Sequence, residues 1–145
     1  MKFLVLIYNE PELLEALPAT EFDTTMRGCF IKADQLKKDG KLLDSRMLQA
    51  PSTAKSIRVR NGRRTTHDGP FAETKEVLGG FNLIEADNMD EALRIAAEFP
   101  WSETGCIEVR PLEDMDAVRK RVKAPPAFAR LSTDPAFESL VAPKD

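Results

Sequence analysis

The chain has 145 residues, the size of one domain, with a formal net charge of −3 and two cysteines. A domain of this length buries roughly 70% of the surface its unfolded form exposes, so it needs neither a metal nor a disulfide to hold a core. The mild acidity argues against a dedicated nucleic-acid binder, and no apolar run approaches the ~20 residues of a membrane span.

Lys2 to Tyr8 is nearly all apolar and predicts a strand covered on both faces. MKFLVLIYNEPE turns acidic at once and lacks a small-residue cleavage site, so it reads as a first strand rather than a signal peptide. Asn9-Glu10-Pro11 offers a cap and a proline near the start of one or two helical turns in ELLEAL, and Pro18 ends them. Thr20 can cap a longer helix over 20–39, with Asp23 in its first turn. On that helix Phe22, Met26, Phe30 and Ala33 share a face, with Cys29 and Leu36 alongside, and Lys37, Lys38 and Gly40 suit its C-terminal end. Leu42 to Gln49 reads as a strand ending near Pro51.

Ser56 to His67 carries the clearest local signal. Asn61-Gly62 is the preferred pair for a type I′ turn, and Ile57 and Val59 alternate with polar residues before it. A two-residue loop sets Arg60 opposite Arg63, Arg58 opposite Thr65 and Ser56 opposite His67. One face then carries Arg58, Arg60, Arg63, Thr65 and His67; the other carries Ile57, Val59, Arg64 and Thr66. Val77 to Ala86 is the next strand, and its Gly79-Gly80 pair suggests a bulge or a close approach by another group. Asn88-Met89-Asp90-Glu91 is a capping-box-like start to a helix that runs to about Phe99, where Pro100 stops it and Trp101 packs. Gly105 to Arg110 is a final strand. Met26, Met47 and Met89 read as core fillers.

After Pro111 the composition shifts to proline and charge. A short helix near 113–122 is expected, then a tail in which Phe128, Leu131 and Phe137 point to packing on something, a second subunit among the options. The domain boundaries are therefore 1–110 and an extension 111–145. Without the hairpin the order is βαββαβ, an α+β fold of the ferredoxin-like plan. Such a sheet has helices on one face only, and pairing two sheets in a homodimer is an economical cover for the other.

DGPFAETKE, residues 68–76, concentrates the chemistry. Asp68 and Glu73 flank a rigid Gly69-Pro70-Phe71 corner, and His67, the single histidine, precedes it. Asp68 is the candidate general base and His67 its assistant in proton transfer. Arg46 or Arg64 is the candidate holder of an anion, with Glu73 and Tyr8 as further binding residues. Each has a plainer reading: Asp68 starts a turn by bonding the backbone just ahead, Glu73 and Lys75 belong to a charged segment with weak pairs, and Tyr8 caps a core edge. Cys29 and Cys106, far apart, are expected as buried thiols of a cytoplasmic chain; no metal-ligand spacing and no cofactor signature is present.

The run HDGPFAETKEVLGGFNLIEADNMDEAL resembles the DGPF family of YCII-related proteins, and the likeness extends from Met1 to about Arg110, including the GCIEVRP ending. The resemblance implies a dimeric α/β barrel of ferredoxin-like subunits, a bacterial cytoplasmic setting, and association with extracytoplasmic-function sigma factors. Some YCII-related relatives are enzymes, including a dehydrochlorinase-type lyase for which a His/Asp pair is proposed. Here the first long helix, TEFDTTMRGCFIKADQLKKDG, has no histidine, so only Asp68 carries over. Two functional expectations follow. One is a homodimer that binds a small polar or anionic molecule in a cleft near the motif, with lyase-type proton transfer as its chemistry. The other is a non-catalytic regulatory or interaction module of a sigma-factor system, using the arginine-rich hairpin or the tail. Neither nucleic acid nor membrane is an expected partner.

Overall fold

The chain begins with β1 (Lys2–Asn9), followed by α1 (Pro11–Glu15), α2 (Ala19–Lys38) and β2 (Leu42–Met47). The hairpin strands β3 (Lys55–Arg60) and β4 (Arg63–Asp68) come next, then β5 (Val77–Glu85), α3 (Met89–Ala97), β6 (Gly105–Pro111) and α4 (Met115–Arg121). The structure, a computed structural model, describes residues 1–125; the expected packing of Phe128, Leu131 and Phe137 lies outside them. The six strands among the described residues belong to a unit spanning Met1–Leu112, and α4 belongs to a second unit that starts at Glu113.

Four strands form one antiparallel sheet in the order β2-β5-β1-β6, and β3-β4 form a separate two-stranded ribbon. With the ribbon set aside, connectivity and strand order are those of the ferredoxin-like βαββαβ plan. Alternation along the strands divides the sheet. Phe3 pairs with Ile84, and Val5 with Asn82 and Val109, on the face that meets the helices. There Phe3, Val5, Leu42 and Ile84 join Leu36 of α2, Ala92, Ile95 and Ala96 of α3, and Phe99 in one buried cluster. Trp101 packs against it, as expected. Full burial of each large apolar side chain stabilises by about 1.5–3 kcal/mol, so this layer dominates the stability of the unit.

Several local expectations are corrected. Pro18, not Thr20, is the residue before α2: its φ of −56° and ψ of 141° turn the chain into the helix, and its carbonyl accepts from Phe22 N at 3.0 Å. Thr20 sits inside the first turn, where its carbonyl accepts from Thr24 Oγ1 at 2.8 Å. Phe30 is 64% exposed. The helix packs along Cys29, Ala33 and Leu36, and Phe30 lies about 100° around the axis from Cys29. Met47, at the end of β2, is 70% exposed and fills no core, whereas Met89 packs against the cluster. Cys106 is exposed rather than buried, because it falls on the strand face away from α2 and α3; Cys29 is half-buried, and both are free thiols.

The expected irregularity at Gly79-Gly80 is present: the β1–β5 register shifts between Ile7 and Tyr8 and leaves Gly79 without an opposite residue. A Cβ on Gly80 would stand 2.7 Å from the Arg46 carbonyl oxygen, so only glycine lets β2 come this close. Asn88 caps α3, its Oδ1 accepting from Glu91 N at 2.9 Å. The Glu91 carboxylate then takes Lys41 Nζ at 2.6 Å, which ties the first turn of α3 to the residue before β2.

Candidate functional site

The hairpin has the register that its turn dictates. Arg60 faces Arg63, Arg58 faces Thr65 and Ser56 faces His67, with Asn61 and Gly62 at φ values of 52° and 73°. The same register sets Lys55 opposite Asp68, and the two side chains form an ion pair. Every residue from Ile57 to Asp68 is exposed. The chain then turns at Gly69, whose φ of 101° few residues other than glycine adopt. Gly69 N donates to Ala54 O at 2.7 Å, and Ser56 Oγ donates to Gly69 O at 2.8 Å, closing the base of the ribbon.

Beyond this corner, Pro70 to Glu76 form one wall of a cleft of about 1160 Å³, although Glu73 is not among its lining residues. The opposite wall comes from Tyr8 and Glu10 at the end of β1 and from Cys106 to Glu108 of β6; Leu48 to Pro51 and Val77-Leu78 complete it. Tyr8 pairs with Leu78 on one side and Cys106 on the other, which places the phenol on the sheet face away from the helices. Lys75 Nζ reaches across to Glu10 at 2.9 Å, and that hydrogen bond holds the lysine pKa above its ordinary value. Glu10 is anchored in turn, its own N–H donating to Thr104 O at 2.9 Å. Glu108 pairs with Arg110 at 3.1 Å, while Glu76 has no ion-pair partner among the described residues. The cleft therefore combines apolar walls with a phenol, three carboxylates and one ammonium, a set that can hold a polar molecule by several directed bonds.

A second, smaller cavity of about 180 Å³ lies between α2 and the helix-covered face, lined among others by Phe22, Met26, Cys29, Asn9, Gly80 and Asn82. Ser45 Oγ donates to Asn82 Oδ1 at 2.6 Å, and Asn9 Oδ1 is buried without a hydrogen-bond partner among the described residues. Burial pushes the Cys29 thiol pKa up, which keeps it protonated and a poor nucleophile.

The residues singled out from the sequence thus separate. Tyr8 lines the motif cleft. Arg46 borders the smaller cavity instead, where its backbone carbonyl approaches Gly80, while its register opposite Phe81 puts its side chain, paired through Nε with Asp44 at 3.2 Å, on the other sheet face. Asp68 is 84% exposed at its side chain, lines neither cavity, and is held by Lys55 rather than by the backbone N–H groups just ahead. His67, Arg64 and Glu73 are exposed and also line neither cavity. Glu10 and Glu108 were not among the sequence candidates. For Glu108 a signal existed: in GCIEVR the alternation puts Cys106, Glu108 and Arg110 on one face and Ile107 and Val109 on the other. Lys75 pairs with an acid 65 positions away rather than a neighbouring one. Among the described residues no group of three His, Cys, Asp or Glu side chains could hold a metal ion, and no helix is long and apolar enough to cross a membrane.

The YCII-related domain family matches residues 1–127 of the chain. An uncharacterized protein of Rhizobium meliloti strain 1021 is 37% identical over 114 residues, covering 77% of this chain and 92% of that protein. Among solved structures, 5-chloro-2-hydroxyhydroquinone dehydrochlorinase from Burkholderia phenoliruptrix AC1100, in complex with 2,5-dihydroxybenzoquinone, aligns over 78% of this chain and 94% of that chain, with a TM-score of 0.46 and 16% identity.

Proposed function

The chain belongs to the YCII-related family, and from that premise we propose that it is a DGPF-type member that binds a small polar molecule in the motif cleft. Two copies pack together, as a dimeric α/β barrel, the sheet faces that point away from α2 and α3. The observation that carries the binding reading is the cleft itself: Pro70 to Glu76 wall a space whose other side holds Tyr8 and the Lys75–Glu10 pair. The apolar walls suit a ring, and the phenol, ammonium and carboxylates suit its polar substituents. The dimer reading rests on Leu4, Leu6, Phe81 and Leu83, which share the face away from α2 and α3. Binding, not proton transfer by Asp68, is the function advanced, because a base must reach the bound molecule and Asp68 lines neither cavity.

Titration of the nitrogen-15-labelled protein with catechol and with benzoate tests the reading. Amide shifts are expected at Tyr8, Lys75, Val77 and Leu78, and Tyr8→Phe should weaken binding of the better probe by roughly fivefold, the loss of one hydrogen bond. Shifts confined to the α2 cavity, or none with either probe, would overturn it.

A further inference from the structure

The hairpin is the least explained part of the fold. An isolated two-stranded ribbon is marginal in water, yet from Ile57 to Asp68 all its residues are exposed, including Ile57 at 69% and Val59 at 54%. Those two share a face with Arg64 and Thr66, as the pairs Ile57–Thr66 and Val59–Arg64 show. Solvation accounts for the arginine-bearing face, but not for the apolar pair on the other.

The motif cleft has the complementary character. Its exposed apolar residues are Phe71 at 81%, Leu48 at 45% and Leu78 at 37%. Its carboxylates outnumber its ammonium, and Glu76 is the one without an ion-pair partner among the described residues. Ala54 and Pro70, at the two feet of the ribbon, line the cleft, yet no residue from 55 to 69 does. The hairpin therefore stands beside its own cleft without covering it.

We propose that the hairpin of a second copy of this chain closes the cleft, with Ile57 and Val59 against its apolar wall and Arg64 beside Glu76. Both surfaces occur on the same chain, so a two-fold axis satisfies both contacts at once, each hairpin on the other's cleft. Apolar burial supplies the affinity, and the Arg64–Glu76 pair sets the register. The second copy thereby contributes a wall of the binding site. The inference rests on the self-association reading above but not on the identity of any bound molecule.

Sedimentation equilibrium on the full chain tests it with four variants. Ile57→Asp and Val59→Asp together should raise the dimer dissociation constant by at least about tenfold, as loss of a buried contact does. Arg64→Glu and Glu76→Arg should each weaken the dimer, and the double swap should restore it. A dimer unchanged by all of these would overturn the hairpin contact while leaving the sheet pairing intact. A wild-type chain that stays monomeric at every concentration would overturn both. Circular dichroism guards the result, since the substituted positions are exposed and the variants should keep the wild-type spectrum.

Discussion

The two faces of the four-stranded sheet are made from alternate residues of the same strands, yet they end in different states. On the helix side Phe3, Val5 and Ile84 are at most 2% exposed. On the other side Leu4, Leu6, Phe81 and Leu83 are only half-buried, and the pairs Asp44–Arg46 at 3.2 Å and Glu108–Arg110 at 3.1 Å stand among them. Apolar content is similar; cover is not. Strand periodicity assigns residues to a face, but a face becomes a core only when another layer seals it. The open side instead has an apolar centre with charged pairs on its two edge strands.

The largest test of this contrast is a pair of truncations read by urea denaturation at dilute protein. Phe3→Ala should cost about 3–5 kcal/mol, the loss of a fully packed aromatic. Leu6→Ala, on the open side, should cost about 1 kcal/mol, since its removed carbons are only partly buried. Equal losses would show that both faces are equally sealed in one protomer. A smaller effect sharpens the role of α3 as cover for the closed face: Asn88→Ala removes the cap that accepts from Glu91 N and should lower stability by about 1 kcal/mol, read as a shifted urea midpoint with unchanged slope.

The smallest effect is a pH dependence at the same helix start. The bond from Lys41 holds the Glu91 pKa below its ordinary 4.5. A carboxylate with a lowered folded pKa contributes stability above its unfolded value and loses it as pH falls through the folded one. The same bond raises the Lys41 pKa above 10.5, so the lysine's share is present below that value and lost as pH rises through the folded pKa. The urea midpoint should therefore drop on acidification below about pH 4.5, and Glu91→Gln should flatten that drop. An identical drop in the variant would assign the acid sensitivity to other carboxylates.

Much of the fold was legible because its signals are local. The Asn61-Gly62 turn alone dictates the hairpin register, and the observed pairs Arg60–Arg63, Arg58–Thr65 and Ser56–His67 are those it requires. The Asn88 cap and the Gly79-Gly80 irregularity were readable for the same reason. The partner of Asp68 was also within reach, since pairing Ser56 with His67 puts Lys55 opposite it. The candidate site was less legible. Tyr8 lines the motif cleft, but Arg46 lines the other cavity, and the Glu10–Lys75 bridge joins residues that no periodicity relates. Phe30 and Met47 were misplaced because a helical stripe or strand end gives direction, not the extent of the layer it meets.

The order of residues was enough to determine the succession of helices and strands, the hairpin pairing, and the glycine-proline corner of the motif. Each follows from backbone preferences that act over a few residues. Only the tertiary structure decided which sheet face is sealed, which motif side chains border a cavity, and that Lys75 meets Glu10. Those outcomes depend on segments distant in sequence arriving at the same place, and the free energy that brings them together belongs to the packed layers as a whole.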